Sequence, residues 1–138
     1  LSATTLHPYT SVFHSAARLV AHASRRDHIS PILRQLCWLP ISSRIIFKLC
    51  LLIYKIFNNR SPVYLLESLI LCSDCPGRQR LRSSSRRDLT VPRTHRAFSD
   101  RAFSVAGPTA WNAIPTSIRE STTLHEFKIK LKTYLLSL

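Results

Sequence analysis

Residues 41–58 read ISSRIIFKLCLLIYKIFN, and this stretch decides the fold. Its apolar side chains recur at helical spacing and cover a broad arc, which is typical of a helix that packs on several sides. Arg44, Lys48 and Lys55 fall within about 40° of one another at roughly 100° per residue. These three cations either contact phosphates or mark the solvent-exposed side of the helix.

Shorter helices flank this segment. Residues 9–24 predict a first helix, and Asp27 is expected to cap a second one that ends near Leu36. Ser61-Pro62 opens a further helix, because proline at the first helical position gives up no hydrogen bond. The predicted buried face of the first helix consists of Val12, Ala16, Leu19, Val20 and Ala23. Residues 1–71 are therefore predicted to be a helical segment.

The composition changes to Gly, Pro, Ser and Arg between residues 73 and 88, which indicates a loop. Residues 89–92 and 102–105 then alternate apolar and polar side chains, so each predicts a strand. The two strands would form a small antiparallel ribbon that rests on the helices, because a two-stranded sheet is only marginally stable alone. Residues 72–107 are thus expected to form an arginine-rich loop and a β-ribbon.

Residues 108–138 are predicted to hold a short helix around Trp111 and a C-terminal amphipathic helix. A turn is expected at Gly107-Pro108, and Trp111 is expected to fill a gap in the core. Thr123 and Glu126 have the spacing of a capping box, which marks the start of the last helix. Its apolar stripe consists of Leu124, Phe127, Leu131, Tyr134, Leu135 and Leu138. The sequence predicts one domain of the mainly α class with a small antiparallel β-ribbon (α+β).

The formal net charge is +13 over 138 residues, and it is distributed unevenly. Residues 77–107 contain eight arginines and two aspartates, for a net charge of +6. So strong a positive field favours polyanionic partners, and the arginine side chain can bind phosphate through two parallel hydrogen bonds. The alternative is a solvated basic loop that keeps the chain soluble.

Four cysteines occur, at positions 37, 50, 72 and 75. Cys37 and Cys50 lie among apolar residues and are expected to be reduced core residues. Cys72 and Cys75 form a CxxC pair, but a structural zinc site needs four ligands, and no second pair with the usual spacing follows. The sequence also lacks the strand and helix that surround a thioredoxin-type pair. Neither a metal nor another cofactor is therefore expected.

No pattern of side chains indicates catalysis. The sequence contains no Gly-x-Ser-x-Gly motif and no glycine-rich phosphate loop, and its seven carboxylates are scattered. We therefore expect a protein that is not an enzyme. A signal-peptide pattern is absent, and the most apolar stretch is too short for a membrane span. These features predict an intracellular protein, nuclear or cytoplasmic, with no membrane partner.

The segment RAFSVAGPTAWNAIPTSIR, residues 101–119, resembles a signature near the C-terminus of a family of polyproteins. These are the reverse-transcriptase polyproteins of non-LTR (LINE-type) retrotransposons, of the Jockey and chicken-repeat kind. Other pieces of the chain are similar to elements of this family in the same order: SAARLV (15–20), DHISPIL (27–33), LCWLPI (36–41), RIIFK (44–48), SPVYL (61–65), LRSS (81–84), LTVPR (89–93) and LKTY (131–134). Cys37 stands where the family has histidine, and residues 1–14 match no element of it.

This resemblance implies a region that lies downstream of the polymerase core. The aspartate-bearing polymerase box of the family is absent from the sequence, so no polymerase activity is implied. The resemblance implies instead a non-catalytic tail, with the upstream reverse-transcriptase core as a partner. The chain contains no methionine and is expected to be an excerpt of a longer product or a relic reading frame.

The leading hypothesis is sequence-tolerant binding of RNA or DNA through phosphate contacts. Its candidate residues are Arg78, Arg80, Arg82, Arg86, Arg87, Arg93 and Arg96, with Lys48 and Lys55 as secondary candidates. A second hypothesis is a packing or interaction module in which residues 41–58 dock on the polymerase core. A third hypothesis is a degenerate relic without a selected function.

Overall fold

The computed structural model describes residues 3–74, 87–94 and 99–138. These residues are mainly helical, which confirms the predicted α class. The α-helices of the described part are α1 (Ala3–Val20), α2 (Ile29–Gln35), α3 (Ile41–Phe57), α4 (Val63–Glu67), α5 (Phe103–Ala113), α6 (Thr116–Arg119) and α7 (Leu124–Ser137). The chain divides into two compact units, one of residues 1–45 with 132–138 and one of residues 46–131. The predicted division into three segments, residues 1–71, 72–107 and 108–138, stays a prediction.

The first unit packs α1 against α2. Three side chains form its buried centre: Ala17, Ile32 and Leu33. Phe13 of α1 stacks on Trp38, with the two ring centroids 5.3 Å apart. The guanidinium of Arg44 lies 4.3 Å from the centroid of the Phe13 ring on its face, which adds a cation–π contact.

The face that α1 buries differs from the predicted one. Val12 is 71% exposed and Leu19 is 78% exposed, whereas Ala17 is completely buried. Phe13 and Ala17 each follow a residue of the predicted face, so the buried face is rotated by about 100° around the helix axis. Apolar residues occur on both faces of α1, and packing against α2 and Trp38 selects the face that carries Phe13 and Ala17.

Three helices, α1, α2 and α3, end in the same motif. The residue after each C-cap has a left-handed backbone, and the next N–H donates to the carbonyl five residues earlier. In α3 this donor is Arg60, whose N–H lies 2.8 Å from the Lys55 carbonyl oxygen. The left-handed residues are His22, Cys37 and Asn59, with φ of 51°, 52° and 54°. Cys37 is exposed at this turn, so its prediction as a core residue was wrong.

The second unit is built around Trp111 of α5, which is 1% exposed. The Trp111 ring lies 5.4 Å from that of Phe57 and 6.0 Å from that of Phe127, measured between centroids. Phe127 also stacks on Tyr54 at 4.2 Å. The Tyr54 hydroxyl donates to the Ser121 carbonyl at 2.9 Å, which satisfies its buried polar atom. The predicted gap-filling role of Trp111 is therefore confirmed.

The apolar stripe of α7 is present for most of the helix. Its fully buried members are Phe127, Leu131 and Leu135. The lysines outside the stripe, Lys128, Lys130 and Lys132, are exposed as expected. Leu138 is 77% exposed because it follows the last helical residue, Ser137.

The predicted β-ribbon is wrong. Within residues 3–74, 87–94 and 99–138 no β-strand forms, and residues 103–105 belong to the first turn of α5. Leu89 makes an isolated antiparallel bridge with Leu71 instead. Four residues that alternate apolar and polar side chains fit a helical turn as well as a strand, and the apolar residues that follow continue the helix.

Gly107 and Pro108 lie inside α5, where the sequence predicts a turn. Pro108 has no N–H to donate to the carbonyl four residues earlier, which weakens the helix. Glycine before it removes the Cβ that would clash with the proline ring in a helical backbone. A Cβ at position 107 would also lie 3.2 Å from Phe103 and 3.3 Å from Ile53. Glycine therefore lets α5 approach α3 closely.

Candidate nucleic-acid interface

The predicted basic residues divide between the described and the remaining parts of the chain. Five arginines lie outside the described residues: Arg78, Arg80, Arg82, Arg86 and Arg96. Arg87, Arg93 and Lys48 are exposed, and Lys55 is half-buried near the end of α3. The ion pairs of the described ranges use Arg119 and Lys130 as their cations. The charges of the four described candidates are thus available to an anionic partner.

Residues 70–72 and 88–90, which lie on either side of 75–86, are held side by side. The N–H of Cys72 donates to the Asp88 carbonyl at 3.0 Å, and the N–H of Thr90 donates to the Ile70 carbonyl at 2.8 Å. These bonds flank the bridge between Leu71 and Leu89. The described residues on the two sides of 75–86 are therefore joined at one place.

Trp111 and Asn112 of α5 complete this anchor. The Asn112 side-chain amide accepts the Leu89 N–H at 2.9 Å and donates to the Leu89 carbonyl at 2.7 Å. It pairs with Leu89 as a neighbouring strand would. Trp111 Nε1 donates to the carbonyl of Arg87 at 3.0 Å, at a residue whose φ is +53°. These two adjacent side chains fix the backbone of residues 87–89.

Arg119 and Asp88 form an ion pair that no local sequence pattern reveals. The two residues are 31 positions apart, and their side chains are 5% and 20% exposed. An aspartate of the arginine-rich segment is therefore neutralised by an arginine from α6.

A polar cleft of about 410 Å³ lies beside the end of α3 and the start of α7. Its lining consists of Tyr54, Lys55, Asn58, Arg60, Thr122, Thr123, Leu124 and His125. Lys55 and Arg60 come from α3 and the turn that ends it, and His125 comes from the first turn of α7. The described residues that line the cleft include no carboxylate. Such a lining creates a positive potential that attracts anions.

Two local motifs place the side chains of this cleft. The turn after α3 brings Arg60 back beside Lys55 through their backbone hydrogen bond. Thr123 caps α7, because its Oγ1 accepts the Glu126 N–H at 3.1 Å. The Glu126 carboxylate accepts the N–H and the hydroxyl of Thr122, each at 3.1 Å. The predicted capping box is confirmed at Thr123, and its return bond reaches one residue further than expected.

Glu126 makes the stability of the fold depend on pH. A hydrogen bond from Lys130, followed by bonds from the hydroxyl and N–H of Thr122, lowers the pKa of Glu126 from 4.5 to about 2. The unfolded chain takes up this proton at a higher pH than the folded chain. The stabilisation is therefore fully present above pH 4.5 and is lost as the pH falls towards 2.

We expect Glu126→Gln to lower the melting temperature above pH 4.5 and to have a much smaller effect near pH 2. Thermal unfolding of both proteins across this range, followed by circular dichroism, measures the difference. Glu120→Gln is the matched control, because Glu120 is exposed and carries the same charge. If the difference in melting temperature between the original chain and Glu126→Gln is the same at every pH, the prediction is wrong.

Two of the cysteines in the described part, Cys50 and Cys72, are buried. Cys50 is completely buried, as predicted, and burial raises the pKa of its thiol to about 12, so the thiol stays protonated. Cys72 is buried with its Sγ 3.7 Å from Thr90 Oγ1, and Cys75 lies outside the described residues. Nowhere in the described ranges do three His, Cys, Asp or Glu side chains come together in a way that could hold a metal.

None of the described helices combines the length and the hydrophobicity needed to cross a bilayer.

Of the predicted site residues that the structure describes, only Lys55 lines the cleft. Arg60 and His125 complete it, and sequence reasoning missed both. Each has a local signal, since Arg60 follows the Asn58-Asn59 helix end and His125 follows the Thr123 cap. Both signals indicate helix boundaries, and only the fold brings the two boundaries together.

Comparison of the chain with protein-family models, with curated proteins and with solved structures gave no match in any of the three.

Proposed function

We propose that this chain is a non-catalytic region that binds RNA or DNA through the phosphate backbone. The observation that carries the proposal is the cleft in which Lys55, Arg60 and His125 meet without a carboxylate among the described lining residues. Cations grouped in a cleft concentrate positive potential, and phosphate contacts supply most of the affinity of sequence-independent binding. The resemblance of the sequence supports a tail of a LINE-type retrotransposon reverse transcriptase as its source.

The side chains of the cleft favour binding that tolerates any sequence. Lys55 and Arg60 bring positive charge to the cleft, and contacts to phosphate carry no sequence information. The hydroxyls of Thr122 and Thr123 are already used in capping α7, the first as a donor to Glu126 and the second as an acceptor. Backbone contacts from the cations therefore dominate the proposed interaction, and RNA and DNA are both suitable partners.

The arginine-rich segment is proposed to add further phosphate contacts. Its members are Arg78, Arg80, Arg82, Arg86, Arg87, Arg93 and Arg96, and Lys48 is a secondary contact. The support for this step is the anchor at Leu89, where main-chain and Asn112 hydrogen bonds fix the described backbone next to Arg87. The pairing of Asp88 with Arg119 supports it as well, because it removes the nearest compensating charge.

Binding of a labelled oligonucleotide at several salt concentrations tests the proposal. Lys55→Gln combined with Arg60→Gln is expected to lower the slope of log affinity against log salt by about 1.4, because each single-strand phosphate contact contributes about 0.7. Lys128→Gln with Arg101→Gln is the matched control, since it removes the same charge from two exposed residues outside the cleft. Fluorescence anisotropy gives the affinities.

The control separates a specific cleft from general charge. Equal loss of slope in both double variants would mean that the cleft contributes no more than any surface cation, and the proposal would fail. Neutralising Arg78, Arg80, Arg82 and Arg86 together tests the arginine-rich segment in the same assay. Unchanged binding in that variant would limit the interface to the cleft.

A second candidate function is an interaction module that packs against an upstream polymerase core. The exposed apolar face of α1 favours it, since Tyr9, Val12 and Leu19 are 66%, 71% and 78% exposed. An open apolar groove of about 720 Å³ lies along this face and is bordered by Trp38 and Arg44. An isolated chain that aggregates alone, becomes soluble with the upstream segment and retains no nucleic acid would favour this function.

A further inference from the structure

The first unit carries a second groove, distinct from the apolar one. It has a volume of about 610 Å³ and lies along the polar face of α1 and the turn that follows it. Its lining consists of His7, Thr10, Ser11, His14, Ser15, Arg18, Leu19, Ala23 and Arg25. Four of these residues can donate hydrogen bonds from one narrow stripe of α1: His7, Ser11, His14 and Arg18.

The stripe is straight and long. At 100° per residue its four members fall within about 60° of one another, and at 1.5 Å per residue they extend over about 16 Å. The fifth donor, Arg25, is placed by the turn after α1, where the Ala23 N–H donates to the Arg18 carbonyl at 3.0 Å. Donors therefore line the groove from α1 and from the turn that follows it.

Arg18 is held in place but incompletely satisfied. One terminal nitrogen donates to the Asp27 carbonyl at 3.3 Å. Its Nε is buried and finds no hydrogen-bond partner among the described residues. A buried donor without a partner costs free energy, and an acceptor oxygen supplied by a ligand would remove that cost.

The electrostatics of the groove also favour an anion. The Asp27 carboxylate accepts the Ser24 N–H at 2.7 Å, and none of the described residues that line the groove is acidic. Burial, and secondly the charge of Arg18, lower the pKa of His14 below its ordinary value. The guanidinium thus sets a positive potential in the groove that no lining side chain offsets.

We propose that this groove binds the phosphoryl oxygens of a phosphodiester strand. The line of donors is several times longer than one phosphate group, so it suits successive phosphates of an extended strand. Free phosphates share the same chemistry at each position. The site lies wholly within the first unit and does not depend on the cleft that contains Lys55 and Arg60.

Two neighbouring arginines provide a matched test. Arg25 and Arg26 are both exposed, but only Arg25 lines the groove. Each is changed to glutamine in a chain that already carries Lys55→Gln and Arg60→Gln, so that the other cleft no longer contributes. Arg25→Gln is expected to weaken binding of hexathymidylate about tenfold, the loss of one charge-assisted hydrogen bond, and Arg26→Gln much less. Equal effects of the two variants would overturn the proposal.

The pKa of the His14 imidazole reports on binding in this groove, whatever the affinity of other sites on the chain. A bound phosphoryl group favours the charged imidazole, so the pKa of His14, followed by NMR, is expected to rise when hexathymidylate is added. A rise with inorganic triphosphate as well would show that free phosphates suffice, and a rise with the strand alone would show that several linked phosphates are needed. An unchanged titration of His14 with both probes would refute the site, whatever happens at Lys55 and Arg60.

Discussion

Replacing Trp111 with alanine is expected to lower the free energy of unfolding by about 4 kcal/mol, as for other large buried aromatic side chains. Trp111 is 1% exposed, and its ring packs between those of Phe57 and Phe127. Truncation leaves a cavity where the Trp111 ring contacts Phe57 of α3 and Phe127 of α7. It also removes the Nε1 donor from the Arg87 carbonyl. Chemical denaturation followed by circular dichroism measures the loss.

The conservative variant Trp111→Phe separates packing from hydrogen bonding. A phenyl ring keeps most of the contacts with Phe57 and Phe127 but cannot donate to the Arg87 carbonyl. We expect a smaller loss, about 1–2 kcal/mol, because one buried acceptor loses its partner and some volume is empty. Trp111→Ala costing less than this conservative variant would show that the ring is not the centre of the second unit.

The sequence predicts the long helices because their periodicity is unambiguous. Residues 41–58 carry a broad apolar arc and α7 carries a single apolar stripe, and the structure buries Ile53, Phe127 and Leu131 there. In α1 the same reasoning fails, because the helix carries two apolar faces. Burial of the face that contains Phe13 depends on Trp38, and that contact is set by tertiary packing.

Short patterns are less informative than long ones. Residues 102–105 alternate like a strand, but four residues cannot distinguish a period of two from a helical turn. Gly107-Pro108 is read as a turn for the same reason, since the pair is typical of turns. The structure gives glycine another role inside α5, because a Cβ at position 107 would lie close to Phe103 and Ile53, and only the fold shows this crowding.

The candidate site is predictable only in part. Lys55 is found from its position on a helix edge, and the arginine-rich segment from its composition. Arg60 and His125 belong to two helix ends that approach each other in space. The pairing of Asp88 with Arg119 is set by how α6 packs near Leu89, and opposite charges so far apart in sequence carry no signal of their own.

Arg119→Met is expected to lower the free energy of unfolding by about 3 kcal/mol, because it leaves the charge of Asp88 without its partner. Asp88 is 20% exposed, so solvent relieves part of the cost, and the lower end of the range for broken buried pairs applies. Arg101→Met is the control, since Arg101 is exposed and loses the same charge. Urea denaturation of the variants gives the comparison.

The double variant Asp88→Leu with Arg119→Met tests the cause of that loss. If the destabilisation arises from the unpaired carboxylate, removing it should restore most of the stability, because two apolar side chains of similar volume replace a buried ion pair at little net cost. The Asp88 carbonyl still accepts the Cys72 N–H in this variant, so the anchor of the arginine-rich segment is kept. A double variant that is less stable than Arg119→Met alone would mean that the pair contributes through packing. Recovery would show that the loss in Arg119→Met comes from the unpaired Asp88 carboxylate, and that the ion pair itself adds little net stability.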